Sequence, residues 1–285
     1  MKVSSMAAFE VLAISPDDPN APELFSKSLR GTGFAVIKDH DIDMVEISDM
    51  YDVWSKYFAD EAKHDDATPG SDPAGYFGYK SENAKGRTQK DLKEFFHVYQ
   101  SRDVPPDCEA VTRKFHASLI GLGETLLGWL DQVTPPEVAS KLSMPFTRMV
   151  EGSQDHLLRV LHYPPLPDDV EPGEVRAAAH GDINLITLLV TGSEPGLQAQ
   201  DVNGDWHDIP CGTGYINVNA GDMLAQASHG YYPSTVHRVI NPPKQENRAR
   251  YSLPLFMHPR PDVRLATQTA GEFLQQRLKE IGHAG

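Results

Sequence analysis

The chain has 285 residues, 40% of them hydrophobic, and a formal net charge of −14. That length allows a sizeable core in one large domain or two intimate ones, and the acidic balance argues against nucleic acid, whose recognition needs a basic stripe. Cys108 and Cys211 are the only cysteines and form no Cys-x-x-Cys pair, the first residues lack an apolar signal region, and no run approaches about 18 uninterrupted apolar residues. The sequence therefore predicts a soluble, cytoplasmic protein without a disulfide framework, zinc knuckle or membrane segment.

In chain order, Phe9–Ile14 reads as a short strand and the Ser15 to Asn20 turn opens a helix through Leu24, Leu29 and Arg30, stopped by Gly31-Thr32-Gly33. Phe34 to Lys38 reads as a buried strand, and Met44 to Phe58 carries apolar residues at helical spacing. Residues 60–90 are polar and Gly-rich, a candidate lid, because loops this long are uncommon unless functional. Phe95 to Tyr99 is a predicted strand, and Pro106 to Gln132 a long helix weakened at Gly121 and Gly123. From about Leu157 the texture turns to β. Leu158–Tyr163, Leu185–Thr191, Gly196–Gln200, Trp206–Ile209, Gly214–Val218, Met223–Ala225, Thr235–Ile240 and Arg250–Met257 are short apolar runs between turn residues, as in a double-sheet jelly roll or barrel. An amphipathic helix, Gly271–Ile281, follows.

The chemistry centres on His180-Gly181-Asp182, just before the run of β-formers at Leu185–Thr191. In extended chain, residues i and i+2 project to one face, so His180 and Asp182 can aim an imidazole and a carboxylate at one point. With 12 His and 40 acidic residues, about 1.7 His-x-acid patterns are expected by chance, and the chain has two. The other, His64-Asp65-Asp66, stands in a polar stretch and reads as a solvated loop. A third ligand is needed, and His237, in the β-rich Ser234 to Ile240 run, is the candidate. Two histidines and a carboxylate form the facial triad of non-haem Fe(II) oxygenases, with positions left open.

A second constellation lies downstream. If Arg250 to Phe256 is a strand, Arg250, Ser252, Pro254 and Phe256 share one face, and an arginine with a hydroxyl can hold a carboxylate by charge-assisted hydrogen bonds. Tyr163 ends the strand Leu158–Tyr163, and its hydroxyl, if buried, needs a partner that a carboxylate can supply. By parity Arg159 and Leu161 face the same way as Tyr163. An inward arginine demands a counter-charge, either an internal Asp or Glu or an anionic group on a substrate. His97 alternates with Phe95 and Tyr99 on a likewise inward face.

These residues carry a resemblance. The sequence resembles the isopenicillin N synthase-like branch of the Fe(II)/2-oxoglutarate-dependent oxygenases, over most of its length. It does so through Gly33 to Ile37 with His40, Asp91 to Val98, Leu158-Arg159 with Tyr163-Pro164-Pro165, His180-Gly181-Asp182, Pro195 to Gln198, Asn217 to Asp222, Ser234 to Val239 and Arg250-Tyr251-Ser252. The resemblance implies a mainly β fold with flanking helices, in which residues 1–150 form an N-terminal helical and β region packed on a jelly-roll (double-stranded β-helix) core at 151–285. It implies iron on His180, Asp182 and His237, and 2-oxoglutarate near Arg250, Ser252 and Tyr163. O2 would complete the site, and a small molecule would be oxidised while 2-oxoglutarate becomes succinate and CO2. Specificity would be settled around Tyr76 to Arg87, on the Phe95 to Tyr99 strand with His97, near Phe256, and at Arg159. Plant relatives often carry Asn two residues before the Tyr; here that position is Leu161. Three alternatives stand beside this reading: an Fe(II) oxidase of the same fold that uses no 2-oxoglutarate, a zinc hydrolase, and a metal-free binding module.

Overall fold

The computed structural model describes residues 9–67, 73–82, 89–171, 173–191 and 195–280. In order these form β1 (Ala13–Ile14), α1 (Ala21–Thr32), β2 (Phe34–Ile37), α2 (Met44–Ala59), β3 (Gly75–Phe77), β4 (Glu94–Val98), α3 (Pro106–Val133), α4 (Pro136–Ala139) and α5 (Phe146–Val150). They continue with β5 (Leu157–Tyr163), β6 (Ala177–His180), β7 (Ile186–Thr191), β8 (Leu197–Gln200), β9 (Trp206–Asp208), β10 (Ile216–Ala220), α6 (Asp222–Ala227), β11 (His237–Val239), β12 (Arg250–Met257) and α7 (Ala270–Glu280). The expected mainly β fold with flanking helices is present.

Eight strands make one sheet in the order β1-β2-β10-β7-β12-β5-β4-β3, and four make a second in the order β6-β11-β8-β9. Residues 1–150 contribute β1 to β4 to the large sheet as well as helices α1, α2 and α3. The two faces of that sheet separate cleanly by strand parity. One set, including Ala35, Phe96, Val160, Leu188, Val218 and Leu255, packs with Leu29, Trp54, Phe115 and Leu126 of the helices. The alternate set, with Phe34, Phe95, Leu161 and Tyr163, packs with Ala177, Leu197, Ala199 and Val239 of the small sheet. The site lies between the sheets, on this second face.

Gly123, a weak point by helix propensity, is required by packing: a Cβ there would collide with Met257, so its absence lets α3 approach β12 closely. The structure also corrects local expectations. Met223–Ala225, read as β, lies in helix α6, and the first strand is only Ala13–Ile14. Residues 60–90 contain a 3-10 helix, Glu61–Asp66, and β3; two stretches of that candidate lid, 68–72 and 83–88, fall outside the described residues. Ile281, the predicted end of the last helix, does too.

Candidate metal centre and active site

His180 ends β6 and His237 begins β11, and the two are direct partners across that antiparallel pair, which brings their imidazoles to one side. Their ring centroids are 4.5 Å apart. Asp182 reaches the same point from the loop after β6, its Oδ1 standing 3.9 Å from His180 Nε2 and 3.8 Å from His237 Nε2. One ligand atom from each residue lies within 4.8 Å of the others, the single such cluster among the described residues.

The loop that aims Asp182 is pinned by its backbone. Asp182 O accepts from Asp222 N at 2.8 Å, and Leu185 O accepts from Gly221 N at 2.8 Å. A Cβ at Gly221 would strike the backbone of Asn184, so the Gly221-Asp222 step permits this clasp as no other residue would.

Hydrogen bonding leaves the metal-facing atoms open. His180 Nδ1 donates to Ala178 O at 2.7 Å and His237 Nδ1 to Thr235 O at 3.1 Å, the tautomer that keeps each Nε2 lone pair available. Asp182 Oδ2 accepts from Thr187 Oγ1 at 2.6 Å and Asn219 Nδ2 at 2.8 Å, so Oδ1 faces the histidines. Burial, reinforced by His237, pushes the His180 pKa down to about 4, which holds the ring neutral. Burial raises the Asp182 carboxyl, but the histidines, Asn219 and Thr187 outweigh it and hold its pKa below the ordinary value. The neutral His180 imidazole, the ionised Asp182 carboxylate and the open Nε2 of His237 are donors that suit a divalent iron, so the residues fit the ion. His180 is 38% exposed at its side chain against 6% for Asp182 and 9% for His237, which marks the open side of the site.

Arg250 and Tyr163 are direct cross-strand partners, as are Ser252 and Leu161, and all four are buried on the inner face. Arg250 Nη1 donates to Pro195 O at 2.7 Å. Arg159, Phe95, His97 and Phe256 also come together. The Arg159 guanidinium lies 4.6 Å from the Phe95 ring centroid and 5.6 Å from that of Phe256. Its Nε donates to His97 Nε2 at 2.7 Å, while Nη1 and Nη2 reach the two oxygens of Glu82 at 3.2 and 3.4 Å. Of the two counter-charges considered for Arg159, the structure supplies the internal carboxylate. Lys93 joins the same network at 2.8 Å from Glu82 and 2.9 Å from Asp91. His64, the rival motif, is 58% exposed on the 3-10 helix.

The sequence reading missed Thr187, Asn219, Glu82 and Lys93. Parity could have found three of them: Thr187 alternates with Leu189 on β7, Asn219 with Asn217 on β10, and Lys93 with Phe95. Glu82, in a polar loop, gave no such signal.

A jelly-roll barrel holding two histidines and a carboxylate at one open point defines the class of non-haem metal oxygenases. Comparison with known proteins is concordant. The 2OG-Fe(II) oxygenase superfamily pattern matches residues 154–259, and the N-terminal pattern described as non-haem dioxygenase in morphine synthesis matches residues 5–116. A crystal structure from Shewanella oneidensis, of a protein assigned as an oxygenase, is 41% identical with a TM-score of 0.85, covering 95% of this chain and 98% of that one. One from Caulobacter crescentus, assigned to the 2OG-Fe(II) oxygenase family, is 32% identical with a TM-score of 0.78, covering 95% and 99%. The 2-oxoglutarate-dependent dioxygenase citB of Monascus ruber is 41% identical over 111 residues, 38% of this chain; the match spans about a third (33%) of citB's length. The chain belongs to the 2OG-Fe(II) oxygenase superfamily.

Proposed function

We propose that this protein is an Fe(II)- and 2-oxoglutarate-dependent oxygenase that hydroxylates a C–H bond of a small molecule and releases succinate and CO2. The observation that carries the reading is the triad itself: two Nε2 lone pairs and one carboxylate oxygen left open at a single buried point, in the barrel that also contains Arg250 and Ser252. His180, Asp182 and His237 hold the iron, which when bound activates O2 at the expense of 2-oxoglutarate. Thr187 and Asn219 fix the carboxylate. Arg250 and Ser252 grip the distal carboxylate of 2-oxoglutarate, with Tyr163 beside them, so that its other end is presented to the metal. The apolar lining of Phe34, Leu161, Leu197 and Val239 keeps water from the reacting centre.

The prime substrate rests against Phe95 and Phe256, flanked by His97 and Arg159. Among the described residues, the two cations there, Arg159 and Lys93, face two carboxylates, Glu82 and Asp91, so their charges balance. That favours a neutral small molecule with an apolar or planar face over an anionic one. The cytoplasm is the proposed setting, supported by two free thiols. No described helix is long and apolar enough to cross a membrane.

The test is anaerobic titration with Fe(II) and 2-oxoglutarate, followed by a small-molecule screen for succinate release. Succinate formed only with 2-oxoglutarate and iron supports the reading. Oxidation of a substrate without any succinate would establish the 2-oxoglutarate-independent oxidase instead.

A further inference from the structure

Asn217 is 1% exposed, and among the described residues neither its Oδ1 nor its Nδ2 has a hydrogen-bond partner. A buried, unsatisfied amide leaves its desolvation uncompensated, so such a group calls for a ligand or an ordered water. Its neighbours within the sheet offer it nothing. Asn217 lies on β10 between Val36 of β2 and Leu189 of β7, its direct cross-strand partners and both aliphatic.

Register fixes where the amide points. Asn219, two residues on and therefore on the same face, donates to Asp182 Oδ2, so Asn217 also faces the space between the sheets. Across the sheet, Asn219 is level with Thr187, the other partner of Asp182, and Asn217 is level with Leu189. Two residues further along β7, residue 191 is level with Ser252, which is level in turn with Leu161; Arg250 and Tyr163 stand one pleat further. Asn217 thus stands one pleat, roughly 6.7 Å, from the support of the metal ligand, in the direction of Ser252 and Arg250. A five-carbon diacid held between metal and Arg250 must pass this level. At this level β7 and β12 present Leu189 and Pro254, only hydrocarbon.

We infer that Asn217 binds 2-oxoglutarate, donating from Nδ2 to an oxygen of the co-substrate as it spans from the triad to Arg250, with a bridging water satisfying Oδ1. The inference rests on the proposed co-substrate, and the experiment separates the two. Protein loaded anaerobically with Zn(II), which supports no turnover, is titrated with 2-oxoglutarate by calorimetry, and melting temperatures are recorded without co-substrate. For Asn217→Leu the dissociation constant should rise about tenfold, the scale of one hydrogen bond to a charged group, while the melting temperature holds or increases because an unsatisfied amide is gone. Asn217→Asp, nearly isosteric, places a carboxylate against a dianion and should weaken binding further; it carries the test if the Leu variant does not fold. Wild-type affinity in both variants, or in the Asp variant alone should Leu not fold, overturns the inference. Absence of 2-oxoglutarate binding in the wild-type protein would overturn the functional reading beneath it.

Discussion

Removing the hydroxyl that holds Asp182 is the most direct probe of the metal centre. Thr187→Val preserves shape at a 3% exposed position, so no cavity forms, but it deletes the 2.6 Å bond to Asp182 Oδ2. One bond, from Asn219 at 2.8 Å, remains. A hydrogen bond to a charged group is worth about 1.5–3 kcal/mol, and loss of one outer partner of a ligand lowers metal affinity about 10–100-fold. The two scales agree, since about 1.4 kcal/mol is a factor of ten. Thr187 is also one of the groups holding the Asp182 pKa down, so the variant carboxyl should take up protons more readily as pH falls. Competition titration of Zn(II) against a chelator at pH 7 measures the loss, and Thr187→Ser, which restores the hydroxyl, should recover most of it. A Thr187→Val protein with metal affinity within about twofold of wild type would refute the reasoning.

The ligands themselves give a sharper outcome: His180→Ala, Asp182→Ala and His237→Ala should each abolish stoichiometric Fe(II) binding and turnover while circular dichroism reports an unchanged fold. Arg250→Lys keeps the charge but loses the planar fork, and 2-oxoglutarate affinity measured by titration should fall by about 1.5–3 kcal/mol. Arg159→Met should lower stability by about 3 kcal/mol, the low end for breaking a buried pair, because Lys93 still neutralises Glu82; a raised Michaelis constant with unchanged denaturation would restore the substrate-anion role. His116 and His156 are buried, each with its pKa pushed down to about 4, by burial first and then by Arg113 for one and His258 for the other. The unfolded chain binds their protons near pH 6.5 and the folded protein does not, so stability falls as pH drops from about 6.5 toward 4, by about 2 kcal/mol per histidine at pH 5. Urea unfolding of His116→Leu at pH 7 and pH 5 should show a smaller difference than wild type.

The triad was legible because its information is local. His180 and Asp182 are two residues apart before a β run, and His237 sits in another, so spacing brings them to notice, although strand parity aims only the histidines and a clasped loop aims Asp182. Arg250, Ser252, Tyr163, Arg159, Phe95 and Phe256 were legible as faces for the same reason, and β5, β12 and β4 place them inward. What parity cannot say is which inward face meets which. Arg159 demanded a counter-charge from sequence alone, but Glu82 is 77 positions away in a polar loop with no period to read. Helix α6 was misread because six residues, Asp222–Ala227, are too few to separate a helical from a strand pattern, and its role in clasping the Asp182 loop runs through backbone atoms that every residue shares. Asn217 shows the converse. Its residue type was visible in the sequence, but a polar side chain in a strand is unremarked until the neighbours are known. Only the pairing of β10 with β2 and β7 reveals that its neighbours are Val36 and Leu189, and that its buried amide has no hydrogen-bond partner among the described residues.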